Sequence, residues 1–263
     1  MELSGKSYHF QLTFNWVLQQ LWLKLVAIFY RIIDVFKLLP LRILRVIKHL
    51  WIGLKSLRPK RMYWWESEIN NRKLRRLMNW WVELMVYFLE CFGLGEFYET
   101  INDLVKFNAR ALKDWEIQLA QTVFGDNINY CRVRIDEYAF LGPKQARFCY
   151  VSFNLVNSWG PMLNSLLLHE LTHVWQYQTM GAVYIPRALR AQYSNVGYNY
   201  GGVSNLRSFL KKGKDLHAFN LEQQADIVAD YYLIKDGYKP NWGNGNKKDL
   251  PIYEAFINQI RNV

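Results

Sequence analysis

The residues of this 263-residue chain best suited to chemistry are His169-Glu170-Leu171-Thr172-His173, an H-E-x-x-H pentapeptide inside a run that reads as helix. Side chains four residues apart on a helix lie about one turn apart on the same face. Two imidazoles so placed can share one Zn2+, and Glu170 beside them can take a proton from the attacking water. The pattern predicts a zinc hydrolase, with a peptide bond as the first substrate to consider. The plainer alternative is a pair of core histidines making ordinary hydrogen bonds.

A catalytic zinc needs three protein ligands and one open position. The metzincin extension would put glycine at position 176 and histidine at position 179; Gln176 and Thr179 stand there, so that class is excluded. Two later residues remain, His217 and Glu222. Glu222 begins a run with apolar residues at 221, 225, 228, 229 and 232, which is helical spacing. Asn220 or Asp215 suits the start of that helix. Asp226, one turn after Glu222, can accept the N–H of the far ring nitrogen of His169 or His173, which fixes the tautomer. His217 precedes this helix in a polar stretch and has no obvious partner to orient it. A solvated acidic face is the ordinary alternative for Glu222 and Asp226.

Leu168 to Gln176, followed about fifty residues later by Asn220-Leu221-Glu222-Gln223-Gln224-Ala225-Asp226, resembles the gluzincin metallopeptidases of the thermolysin-like arrangement. It looks more closely like the zincin domains found near bacterial contractile injection systems and among type VI secretion effectors. The likeness runs from about 124 to 233, less than half of the chain, and the N-terminal third has no such counterpart. The resemblance implies Zn2+ held by His169, His173 and Glu222, with Glu170 as general base. It further implies a peptide or protein substrate and a secretion-system partner. The expected location is the cytoplasm where the chain is made, with export independent of a signal peptide or attachment at a membrane surface. Two rival functions stand beside it: a membrane-active or partner-binding helical protein whose zincin domain is inert or structural, and a zinc hydrolase of non-peptide substrates.

Hydrolysis also needs a donor for the oxygen that gains charge. Tyr193, Tyr198 and Tyr200 lie in a Gly-rich loop, and any of them could reach over the metal; His217 is a further donor. The expected catalytic set is Glu170 with Tyr200 and His217, although the sequence does not choose among the three tyrosines. Residues 147–154 read as a strand whose edge could pair with an extended peptide or serve a structural sheet.

The elements that position these residues are read coarsely. Helices are expected at 109–123, 162–180 and 218–235, with short ones at 187–192, 204–212 and 252–260. Strands are expected near 133–135 and at 147–154, with a turn at Gly142-Pro143. The fold class is α+β, helix-dominated: a zincin-like catalytic domain over 96–263 with a small antiparallel sheet, preceded by a basic, aromatic-rich helical region over 1–95.

That first region differs in character from the rest. Residues 1–76 hold 15 Lys+Arg against 4 Asp+Glu, so the whole net charge of +11 belongs to them. Seven of the 11 Trp fall in the first 81 residues. From Phe10 to Leu57 a charged stripe recurs near every 3.5 residues on an otherwise apolar helix, which Pro40 is expected to split into 10–38 and 41–57. A second helix is expected over 63–92, ended by Gly93 and Gly95. No stretch reaches 18 apolar residues without a charge, so a membrane span is not expected, and a cleavable signal peptide fits poorly. Residues 10–57 suit an anionic membrane surface. The simpler expectation is that the apolar face packs inward and the Lys/Arg stripe faces water. Nucleic acid ranks last as a partner, because the cations alternate with aliphatic residues. Three cysteines form no disulfide framework.

Overall fold

The computed structural model describes residues 14–56, 71–106, 108–140, 144–145 and 148–261. The turn expected at Gly142-Pro143, the first residues of the N-terminal helix and the start of the helix expected from 63 lie outside them. In order, the elements are α1 (Phe14–Ser56), α2 (Asn71–Cys91), α3 (Leu94–Val105), β1 (Arg110–Ala111), α4 (Asp114–Phe124), β2 (Arg134–Asp136), β3 (Tyr150–Ser152), β4 (Leu155–Asn157), α5 (Asn164–Met180), α6 (Tyr184–Gln192), α7 (Gly202–Lys211), α8 (Leu221–Lys235) and α9 (Leu250–Arg261). The fold is α+β and dominated by helix.

The sheet is mixed rather than purely antiparallel. Its order is β1-β2-β4-β3, with β2 and β4 parallel and both outer pairs antiparallel. The reason is a hairpin that turns at the end of the stretch expected to be one strand and returns beyond it. The chain reverses at Phe153-Asn154, so β4 rather than β3 lies beside β2 and β3 becomes an edge. Phe153 has φ 60, a conformation that normally calls for glycine in such a turn. Its buried ring is held 5.0 Å from Tyr98 of α3 and 5.2 Å from Tyr177 of α5. Packing thus overrides the local preference, and Asn154 alone, without a glycine or proline beside it, is a weak turn signal in the sequence.

α5 and α8 pack against one another at the centre of the main core. Residues 167–176 of α5 are all buried, as are most of α8. A helix apolar on nearly every side belongs inside. Asn220 caps α8: its Oδ1 accepts from Gln223 N at 2.8 Å, and Asn220 N donates to Gln223 Oε1 at 3.1 Å. Gly181 ends α5 with φ 84, and a Cβ there would meet Glu90 and Arg45 within about 2.5 Å. The contiguous core draws its buried residues from Leu112 to Ile260.

α1, α2 and α3 pack on one another outside that core. α1 is one helix with Pro40 inside it, not two. Pro40 removes the hydrogen bond to the Phe36 carbonyl, and both residues lie on the exposed side where water can serve that carbonyl. Gly93 closes α2, but α3 follows at once. The expectation of apolar face inward and charged stripe outward is overturned. Arg31, Arg42, Arg45 and Asp34 of α1 point inward and pair with Asp103, Glu96, Glu90 and Arg132. Among the described residues, no helix is long and apolar enough to cross a membrane. The three cysteines are free.

Candidate metal centre

α5 and α8 cross so that His169, His173 and Glu222 meet. His169 Nε2 lies 3.5 Å and His173 Nε2 3.3 Å from Glu222 Oε2, and one ligand atom from each residue lies within 4.8 Å of the others. All three residues are buried. Four ligands at ~2.0–2.2 Å around a tetrahedral zinc stand roughly 3.3–3.6 Å apart, so the two separations fit such an ion.

Each histidine is oriented through its other nitrogen. His169 Nδ1–H donates to Asp226 Oδ1 at 2.8 Å, and Trp242 Nε1–H donates to the second oxygen of Asp226. His173 Nδ1 lies 2.9 Å from Gln176 Oε1, while Gln176 Nε2 donates to Leu221 O and Gln224 Oε1 at 3.0 Å each. Because the Gln176 amide nitrogen is committed to those acceptors, its oxygen must accept, and His173 Nδ1 carries the proton. Both Nε2 atoms are therefore left free to bind a metal. Gln176 and Trp242 escaped the sequence reading. The i,i+3 spacing of His173 and Gln176 on one helix is the signal that would have found the first. Nothing local reveals Trp242, which a loop brings from beyond α8.

Without a cation, burial opposes charge on His169, yet the hydrogen bonds to Asp226 and Glu222 outweigh it and lift the imidazole to about 10; a metal at Nε2 would take the place of the proton shared there with Glu222. Burial likewise opposes charge on Glu222, but the two histidines hold its carboxyl down to about 2. Glu170 behaves differently. Burial raises it above the usual carboxylate range, only partly offset by His169 and His173. Its Oε2 is buried without a hydrogen-bond partner.

Glu170 and the three candidate ligands line a cleft of about 710 Å3, walled on one side by Cys149 to Ser152 along the free edge of β3 and on the other by α6. The Tyr184 hydroxyl donates to the Val151 carbonyl at 2.5 Å across the inner end. Tyr198 overhangs the metal side, its ring 6.0 Å from that of His169.

Two residues of the expected catalytic set lie elsewhere. Tyr200 is buried behind α8, donating to Asp230 Oδ2 at 2.6 Å and touching the Tyr253 hydroxyl at 2.8 Å. The alternation of the loop turns Tyr198 toward the cleft and Tyr200 into the core. His217 is exposed in a short 3-10 turn and lines a different depression, beside Arg187 and Phe219.

No family model matches the chain. Over 143 residues, 49% of the chain, it is 33% identical to the type VI secretion system spike protein VgrG2b of Pseudomonas aeruginosa. The match spans 13% of that protein's length. The solved effector domain of Pseudomonas aeruginosa VgrG2b aligns with 27% identity over 56% of this chain and 83% of that one, at a TM-score of 0.33.

Proposed function

We propose that the chain is a type VI secretion effector whose catalytic part, within residues 96–263, is a zinc-dependent hydrolase of peptide bonds. The single observation that carries the chemistry is the meeting of His169, His173 and Glu222 beside a buried, partnerless Glu170 oxygen at the floor of a cleft. The similarity to a type VI secretion spike protein supports the biological half of the reading.

The donor set of two imidazoles and one carboxylate, with both free nitrogens turned toward the carboxylate, suits zinc and leaves one position open. When bound there, zinc would acidify a water and polarise a substrate carbonyl. Glu170 does the proton work. Its raised affinity for protons makes it a stronger base than an ordinary carboxylate, and its free Oε2 can take the proton of the attacking water and pass it to the leaving amine. Of the loop tyrosines, Tyr193 and Tyr198 line the cleft and Tyr200 does not, and Tyr198, whose ring lies beside that of His169, is the better placed to donate to the oxygen that gains charge. An extended peptide can pair along β3, where Tyr184 already occupies one outward carbonyl and so limits the register.

Metal analysis of the purified chain should find about one zinc per molecule. Glu170→Gln should keep that zinc and lose cleavage of a peptide library, whereas Glu222→Ala should lose the metal itself. A gently purified protein without zinc, which takes none up on titration, would sink the proposal.

A further inference from the structure

α1, α2 and α3 form an inside-out layer. A surface helix ordinarily buries its apolar stripe and turns its charges to water. Here the charges are the glue. Arg42 and Glu96 pair almost fully buried, Arg45 pairs with Glu90 at 3.3 Å, and Arg31 lies 3.5 Å from Glu99. Glu83 of α2 holds Arg187 of α6 at 2.6 Å and also Arg190. The apolar side chains face out instead. Most of the exposed large hydrophobics among the described residues lie between Leu21 and Val105, including Trp22 at 66% exposure, Phe36 at 70%, Trp51 at 59% and Phe92 at 71%. So many exposed large apolar side chains on three packed helices mark a surface that meets something.

The charges that do reach the surface say what. Among the described side chains of these three helices, every acidic residue (Asp34, Glu83, Glu90, Glu96, Glu99, Asp103) is buried or half-buried. Every fully exposed charge is basic: Lys37, Lys48, Lys55, Arg75 and Arg76. Exposed tryptophans, phenylalanines and aliphatics accompanied by exposed cations and no exposed acid match a bilayer with acidic headgroups: hydrocarbon for the apolar side chains, anions for Lys and Arg. A protein partner would need acidic groups set among its own apolar surface, and self-association would set these cations against each other.

We propose that the outer face of α1–α3 docks on an anionic lipid surface, the helices lying in its plane rather than crossing it. The layer also grips both walls of the cleft. Glu83 of α2 anchors the side of α6 opposite Ile185, Ala188 and Leu189, which line the cleft. Glu99 of α3 accepts from Asn154 Nδ2 at 2.7 Å in the turn that carries β3. Docking therefore sets the cleft at a fixed height above the headgroups, so that it meets chains exposed at that surface.

Flotation of the full chain with vesicles tests this. The chain should float with mixed phosphatidylglycerol and phosphatidylcholine vesicles and stay behind with phosphatidylcholine alone, and brominated lipid should quench Trp fluorescence. Phe36→Glu, Ile47→Glu and Phe92→Glu together change only exposed positions and should cut partitioning more than roughly tenfold with an unchanged melting curve. Lys48→Glu with Arg75→Glu and Arg76→Glu should cost roughly fivefold for each cation near the lipid. Failure to bind either vesicle overturns the proposal, as does binding that survives the triple Glu variant. So does a lipid-free dimer that the triple variant splits, which would make the face a contact between copies. No arm reads hydrolysis, so the result stands apart from that of the metal centre.

Discussion

Helices α5 and α1 both carry apolar residues at helical spacing, yet they are used in opposite ways. α5 turns its leucines into a continuous core and lets His169, Glu170 and His173 face a cleft. α1 turns Trp22, Phe36 and Trp51 outward and its arginines inward. The core region is held by buried apolar area, which is non-directional and tolerant of small shifts. The helical layer is tied by directional ion pairs, with Arg31 and Glu83 each shared between two partners, a device that specifies orientation more than it adds stability. Such an arrangement keeps an apolar face free while still docking the helices in one register.

The two regions should answer differently to substitution. The largest effect is expected at the core's own chemistry: Glu170→Gln should lower turnover on a soluble peptide by about 10^2–10^4-fold, while the triple Glu variant of the outer layer leaves that turnover unchanged. A fall of equal size from the layer variant would mean that the regions are not separable in this way. Next comes the glue. Arg42→Ala leaves the buried Glu96 carboxylate unpaired and should cost about 3–5 kcal/mol in a denaturant melt, whereas Arg42→Met with Glu96→Leu should recover most of it. Truncating one aliphatic side chain in each region draws the contrast most directly. Leu168→Ala in the core should cost about 2–5 kcal/mol, and Ile47→Ala on the outer face should stay within about 0.5 kcal/mol by the same melt.

The smallest effect is one of pH. Burial pushes the Glu83 carboxyl up, but Arg187 and Arg190 outweigh it and hold it below the ordinary 4.5. A carboxyl depressed in the folded state stabilises fully above its ordinary value and loses that contribution as pH falls through its folded value. Hydrogen exchange in α6 should therefore rise as pH drops below about 4.5, after correction for the intrinsic rate, and Glu83→Gln should remove the dependence.

Much of the centre was legible because it is local. His169, Glu170 and His173 share one helical turn and a half, and the pitch of an α-helix alone places them. Glu222 and Asp226 were legible for the same reason, one turn apart on α8. Tyr198 against Tyr200, the Trp242 hydrogen bond to Asp226 and the Phe153 reversal were not. Each depends on a neighbour from a distant part of the chain.

The amino-acid order by itself determined that there are helices here, where their two faces lie, and which side chains share a turn, because backbone pitch is set residue by residue. Only the tertiary structure decided which face of α1 is the inside. Periodicity distinguishes two stripes but carries no sign, and the sign came from Glu90, Glu96, Asp103 and Arg132 waiting on other elements to neutralise the charges that α1 turned toward them.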